Sequence, residues 1–381
     1  MPESQDLKIT LEPVSGTGQL RHFLAVPARV YENDPNWIQP LNFEQKHRFA
    51  PGRPFFAHAR WQAWVAWRGG EPVGRISAQV DELHLQRYQD DTGYFGMIEA
   101  IDDAEVFAAL FEAAEDWLRE QGMRRVRGPY NLSVNEEVGL LVEGFEYPPY
   151  IMMGHACPYY ATQVSALGYH QAQDLLAYLI PTDFEAPPIM TRLAARASDK
   201  VKVRCLRRKQ LAEEAEVMRE IFNDAWQNNW GFVPFTPEEY LDLVKTLSLL
   251  LPDEYVQIAE YEGEPAAFMV ALPNINEALS DLGGKLLPFG WAKLLWRLKV
   301  RHPKSMRVPL LGVKQQFQHS RLGPTMVFML TDAQRPHAVA RGVETAELGW
   351  ILEDNAGMRN IVETIGGKAY KRYRLYEKDL T

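Results

Sequence analysis

Only two cysteines occur in 381 residues, Cys157 and Cys205. They show neither C-x-x-C spacing nor disulfide-framework density, so a reducing compartment, the cytoplasm, is expected. No apolar run reaches the roughly 18 residues that a membrane-spanning helix needs. The opening MPESQDLKITLEP has no apolar core, so no secretory leader is expected. A basic excess is missing too. The formal charge of −9 argues against a general nucleic-acid binder. The nine histidines form no HxxxH or HxH pair, so no metal site is expected. There is no GxSxG elbow and no complete Walker loop, which removes the serine-hydrolase and P-loop classes.

What is present is a globular composition, 46% hydrophobic and 24% charged, in a chain long enough for two domains. Trp61 to Val80 predicts a hairpin, Gly93–Ile98 a strand, and Ala104–Gln121 an amphipathic helix stopped by Gly122. A strand at Arg124–Arg127, a polar loop, a helix near Tyr160–Leu167 and a strand at Leu175–Ile180 follow. The second half repeats the order. It has a hairpin at Tyr255–Leu272, a strand at Met306–Val313, a helix within Thr325–Arg341 and a strand at Glu347–Leu352. A helix at Ala356–Ile365 and a strand at Lys368–Tyr376 close it. The reading is an α/β (α+β) chain of two tandem domains, 1–182 and 200–381. The Pro/Ala/charge-rich stretch 183–199 is taken as the linker.

One turn invites chemistry. GVKQQFQHSRLGP, Gly312 to Pro324, lies between an apolar strand and a helix. Backbone N–H groups at a helix start lack intrahelical partners and sit at the positive end of the dipole, so a pyrophosphate fits there. The alternative is a plain basic connection.

With Gln318-His319-Ser320-Arg321-Leu322-Gly323, the second half resembles the GNAT superfamily of acyl-CoA N-acyltransferases. That family's loop reads Q/R-x-x-G-x-G/A, matched here at Gln318 and Gly323 and departed from at His319 and Arg321. Glu347–Leu352, then Asn355 and Gly366-Gly367, is similar to the family's following strand and helix. The family's tyrosine in that helix, often the thiolate's proton donor, falls at Val362. The first half, through Gly128–Gly139 and Pro158-Tyr159-Tyr160, looks like a diverged copy found in tandem bacterial GNAT proteins. That group includes the bacterial ceramide synthases, which N-acylate a sphingoid base.

The resemblance implies two mainly antiparallel twisted sheets flanked by helices. It implies acyl-CoA as donor, held by Leu311, Gly312, Val313, Gln318, His319, Ser320, Arg321, Leu322, Gly323 and Asn355. An amine must lose its proton before it attacks the thioester, and Glu347 is the candidate base. The alternative is an ordinary strand-end carboxylate. Glu353 and Asp354 are read as ending the strand or capping the next helix. Tyr373 is the candidate acid among Tyr370, Tyr373 and Tyr376, against simple packing. Asn131, Ser133, Asn135 and Glu137 form a dense polar loop, either lining an acceptor pocket or satisfying its own backbone. Asn229 and Trp230 suit an acceptor wall or a core. In Gly290–Lys304, Trp and Leu interleave with Lys and Arg. Peripheral contact at the inner face of the membrane is one reading, and a buried helix with snorkelling cations the other.

The function expected is transfer of an acyl group from acyl-CoA to a small or lipid-like amine. Nucleic acid is not expected as a partner, and the oligomeric state is left open. The rivals are a non-catalytic GNAT scaffold, which the altered loop favours, and a Fem-like aminoacyl transferase, which the acidic charge disfavours.

Overall fold

The computed structural model describes residues 8–248 and 251–380. The first seven residues of the opening stretch, read above as part of a chain start without a leader, lie outside them. The strands are β1 (Thr10–Pro13), β2 (Ala59–Arg68), β3 (Glu71–Asp81), β4 (Thr92–Ala100) and β5 (Arg125–Gly128). Next come the short β6 (Tyr130–Asn131), β7 (Glu137–Val138) and β8 (Leu140–Glu143), then β9 (His170–Pro181) and β10 (Val201–Cys205). The last are β11 (Val256–Tyr261), β12 (Glu264–Pro273), β13 (Ser305–Val313), β14 (Thr345–Leu352) and β15 (Lys368–Asp379).

Two compact units result. The first holds Met1–Asp174, Leu282–Lys285 and Lys371–Thr381; the second holds Leu175–Asp281 and Leu286–Tyr370. This division departs from a cut at 182 and 200 in two ways. The final strand of each sequence repeat joins the other unit: β15 pairs antiparallel with β5, and the Leu175–Pro181 part of β9 pairs antiparallel with β14. The stretch taken as a linker also belongs to the second unit. Its Pro188–Ala197 helix, with proline at the first position where no N–H partner is lost, buries Met190 and Ala197.

In the first unit the sheet runs β1-β2-β3-β4-β5-β15. The Ala104–Glu120 helix starts where the Asp103 carboxylate accepts the Glu105 and Val106 N–H groups. Its stripe of Val106, Phe107, Leu110, Phe111, Ala114 and Leu118 is buried. Each large side chain there contributes about 1.5–3 kcal/mol by leaving water. A second core gathers Phe23, Val26, Phe55, Val65 and Leu132.

In the second unit the sheet runs β9-β14-β13-β12-β11-β10. The Leu322–Ala340 helix buries Met326, Val327 and Leu330 against it. In each unit one strand pair is parallel, β4 with β5 and β13 with β14. Among the described residues no helix is long and apolar enough to cross a membrane. The Gly290–Trp296 helix is not the buried helix of one reading, since none of its residues is buried.

Candidate functional site

The site begins where a parallel pair comes apart. In the second unit β13 and β14 match only from Ser305↔Thr345 to Val308↔Leu348. Beyond that, β13 stays with β12, from Leu310↔Val270 to Val313↔Ala267, while β14 shifts register on β9 and resumes at Ile351. The mouth so formed is edged by Pro309, Leu310, Leu311 and Trp350, all partly exposed. Pro309 has no N–H to pair. The Trp226 indole donates to the Leu311 carbonyl at 3.3 Å.

At the closed end of the mouth sits Glu347, fully buried. Its carboxylate lies 3.3 Å from Arg307 Nε, and Arg307 also donates to the Gly349 carbonyl at 3.0 Å. Arg307 stands directly opposite Glu347 in the parallel register. The Tyr370 hydroxyl donates to the other Glu347 oxygen, and Tyr370 is partly exposed. A buried carboxylate is tolerable only with such partners. The arrangement joins a fully buried carboxylate to a partly exposed hydroxyl.

Following β13 outward leads to the loop expected to hold phosphates. Gly312 and Val313 are buried and Leu311 is partly exposed. A four-residue helix, Gln315–Gln318, comes next, fixed by Gln315 N–H donating to Asp224 at 2.7 Å. The Gln318 amide is occupied, donating to the carbonyls of Val313 (2.8 Å) and Ala225 (2.9 Å). Gln318 therefore shapes the turn and does not reach outward through its nitrogen. Ser320 Oγ donates to Phe317 O and accepts the Leu322 N–H. His319 and Arg321 are exposed, Arg321 immediately precedes the long helix without a side-chain cap, and no acidic residue stands in its first turn. Gly323 packs on the backbone: a Cβ there would stand 2.8 Å from the Phe317 carbonyl oxygen, so glycine is required by close approach. Asn355 caps the following helix through its side-chain oxygen, which accepts the Met358 N–H at 3.1 Å. Capping thus falls to Asn355, not to Glu353 or Asp354. Val362 is a core residue beside Leu176, Tyr178 and Ile351. Asn229 and Trp230 are partly exposed in the turn after the Leu211–Trp226 helix.

The first unit has the same mouth, and its own chain fills it. β4 and β5 match only from Thr92↔Arg125 to Tyr94↔Arg127. Tyr130 and Asn131 then run into the gap. A Cβ on Gly96 would stand 1.8 Å from the Tyr130 carbonyl oxygen. The Met97 N–H donates to the Asn131 side-chain oxygen at 2.8 Å, and the Asn131 amide donates to Glu137 at 3.0 Å. Gln79 donates to the carbonyls of Tyr130 (2.6 Å) and Leu132 (3.1 Å). The buried Arg48 ties Glu136, Glu137 and the Asn131 carbonyl together. Ser133 Oγ accepts the Asn135 N–H. The polar groups of this loop are thus largely turned on one another. At the helix start that follows β4 stand Asp102 and Asp103. The Asp103 carboxyl is held below its ordinary range by its bond with Arg68.

Tyr373 belongs to the first unit and is fully buried, unlike Tyr370. Arg307 is the site residue that the sequence reading passed over, while Tyr370 stood among the candidate acids behind Tyr373. An arginine inside the apolar run Met306–Leu311 was the available signal, since only a buried anion across the ladder stabilises it there.

No protein-family model matches the chain. Among solved structures it is similar to a tandem GNAT protein from the clavulanic acid biosynthesis pathway. That match has a TM-score of 0.59 at 14% identity and covers 98% of this chain and 99% of that one. It is also similar to a GCN5-related N-acetyltransferase from Sphaerobacter thermophilus, with a TM-score of 0.55 at 12% identity over 98% and 96%. Among curated proteins, Protein YghO of Escherichia coli is 51% identical over 95% of this chain and 93% of its own. The bacterial ceramide synthase of Caulobacter vibrioides is 47% identical over 99% of both. With a tandem GNAT fold and identity of this order along nearly its whole length, the chain belongs to the family of the bacterial ceramide synthase and Protein YghO.

Proposed function

We propose that this chain transfers an acyl group from acyl-CoA to the nitrogen of a lipid-like amine, with the donor held by the second unit. The contrast between the two mouths carries the reading. One opens beside apolar, partly exposed residues and leads to a helix start with Arg321 and no carboxylate in its first turn. The other is occupied by Tyr130 and Asn131 and leads to Asp102 and Asp103. A pyrophosphate is favoured at the first and repelled at the second. The identity to a ceramide synthase supports a lipid amine as acceptor and a long acyl chain on the donor. Such an acceptor goes with peripheral contact at the inner face of the membrane through residues 290–304.

In the reaction the amine nitrogen bonds to the thioester carbon, the C–S bond breaks, and the amine's proton ends on the CoA sulfur. Glu347 and Tyr370 suit that proton traffic as a relay. Tyr370 is its accessible end, and Glu347, ion-paired with Arg307, is its reserve. Tyr370 thereby replaces Tyr373 as the candidate acid, and Glu137, tied to Arg48 and Asn131, is read as a strut. His319 and Arg321 are the side chains proposed to meet the phosphates.

The test incubates the purified chain with acetyl-CoA or palmitoyl-CoA and a sphingoid base, measuring amide and free thiol. Equal amounts of both, faster with palmitoyl-CoA, are expected. Thermal unfolding runs beside it: a ligand at 100 times its dissociation constant adds about 2.7 kcal/mol to folded stability. A midpoint that no CoA compound raises, together with no product, overturns the reading in favour of a non-catalytic scaffold.

A further inference from the structure

Between Asp281 and Asp332 the chain contains no Asp or Glu, although its formal charge is −9. The early part of that run is also where apolar surface collects. Eleven large apolar side chains are exposed among the described residues, and six of them fall here. They are Leu287 (80% exposed), Phe289 (78%), Val300 (64%), Trp296 (54%), Trp291 (51%) and Leu295 (50%). The local structure explains the display. A helix covers Gly290–Trp296 and a wider π-type turn covers Arg297–Arg301. Leu294, Arg297 and Leu298 are only partly exposed. Their spacing of three and four puts them on one inward face. Trp291, Leu295, Trp296 and Val300 are left exposed.

The segment is held in this pose. Asp281 accepts from Lys293 at 2.5 Å and from Arg297 at 2.6 and 3.0 Å, and Arg297 also donates to the Ala278 carbonyl at 2.8 Å. These cations hold the Asp281 carboxyl well below its usual range, Arg297 first. Lys299 and Arg301 are exposed and have no carboxylate partner among the described residues.

We infer that residues 287–301 form a fixed docking face for a lipid bilayer carrying anionic headgroups. The apolar side chains enter the interface, and Lys299 and Arg301 meet phosphates. Tryptophan and leucine beside basic residues suit the headgroup boundary, where indole rings sit with one wet edge. The absence of any carboxylate over the run removes the repulsion an anionic surface would otherwise feel. The inference deepens the lipid-amine reading by naming the surface from which that acceptor is taken. Its test needs no acyl-CoA and so fails or succeeds separately.

The full chain is sedimented with vesicles of pure phosphatidylcholine and with vesicles one-third phosphatidylglycerol, while tryptophan emission is recorded. Binding to the anionic vesicles, a blue shift, and weakening with added salt are expected. Leu295→Ser with Trp296→Ser should weaken binding at least tenfold. Lys299→Glu with Arg301→Glu should do so by more than about fivefold for each charge removed. Because all four side chains are at the surface, melting curves of both variants should match the wild type. Wild-type chain that stays in the supernatant, or variants that bind equally well, would overturn the proposal. So would a concentration-dependent dimer that Trp296→Ser dissolves, which assigns the face to a second copy.

Discussion

Inside the first unit, the Asn131 side-chain oxygen accepts the Met97 backbone N–H at 2.8 Å, at the point where β4 and β5 have parted. That N–H is the kind of donor an incoming thioester carbonyl would need. The chain's own asparagine already holds it.

One CoA site per chain is therefore expected, and calorimetric titration with CoA should give a stoichiometry of one. Gly323→Asp should abolish binding, because its Cβ meets the Phe317 carbonyl oxygen and its charge meets the phosphates. Arg321→Glu alters only an exposed side chain, so it separates affinity from folding. It should weaken CoA about tenfold, in keeping with the ~0.2–1 kcal/mol of an exposed ion pair, doubled by sign reversal. Two equivalent sites, or full affinity in both variants, would contradict the assignment.

The relay predicts a division between rate and affinity. Tyr370→Phe removes the hydroxyl that donates to Glu347 and should lower kcat about a hundredfold or more, leaving the KM for acyl-CoA near its wild-type value. Glu347→Gln should also slow the reaction, but it removes the charge facing the buried Arg307. Breaking such a pair costs about 3–5 kcal/mol, so the tyrosine variant is the cleaner probe. An unchanged kcat in Tyr370→Phe would end the relay.

Glu99 gives a pH signature for the first unit. Burial pushes its carboxyl up to about 7, against the opposing pull of Arg75 and of hydrogen bonds from Tyr31 (2.5 Å) and Tyr160 (2.9 Å). The folded state thus holds a proton that the unfolded chain, with an ordinary value of 4.5, releases. Stability from this group is fully present below pH 4.5 and is lost as pH rises through about 7. The whole change is about 3 kcal/mol. Glu99→Gln should flatten that part of the stability curve in denaturant titrations between those limits. A slope identical to wild type would show that Glu99 titrates normally.

Local order was readable in the sequence wherever periodicity carried it. The helix predicted at 104–121 is found at Ala104–Glu120, and the hairpin predicted within 255–272 is found as β11 and β12. Stripe spacing and turn residues suffice for such elements. Pairing partners were not readable. Nothing in the alternation of Lys368–Asp379 says that its later residues lie against β5, since alternation fixes a face and not a neighbour. The same limit hid the Arg307–Glu347 pair, which exists only through the parallel register of β13 and β14. It also made Asn131–Glu137 read as a possible pocket, because polar density does not reveal whether its groups face a ligand or one another.

The exchange of final strands has a consequence for biosynthesis. β5 waits for β15, which the ribosome delivers only after all of the second unit's sheet has been translated. The second unit needs nothing made later than Tyr370 and can close first, using a strand contributed early by β9. Until then β5 presents an unpaired edge to the crowded cell, a liability that chaperone engagement would cover. A gene fragment ending near residue 182 would make that exposure permanent, so the halves of this chain are not separable cassettes.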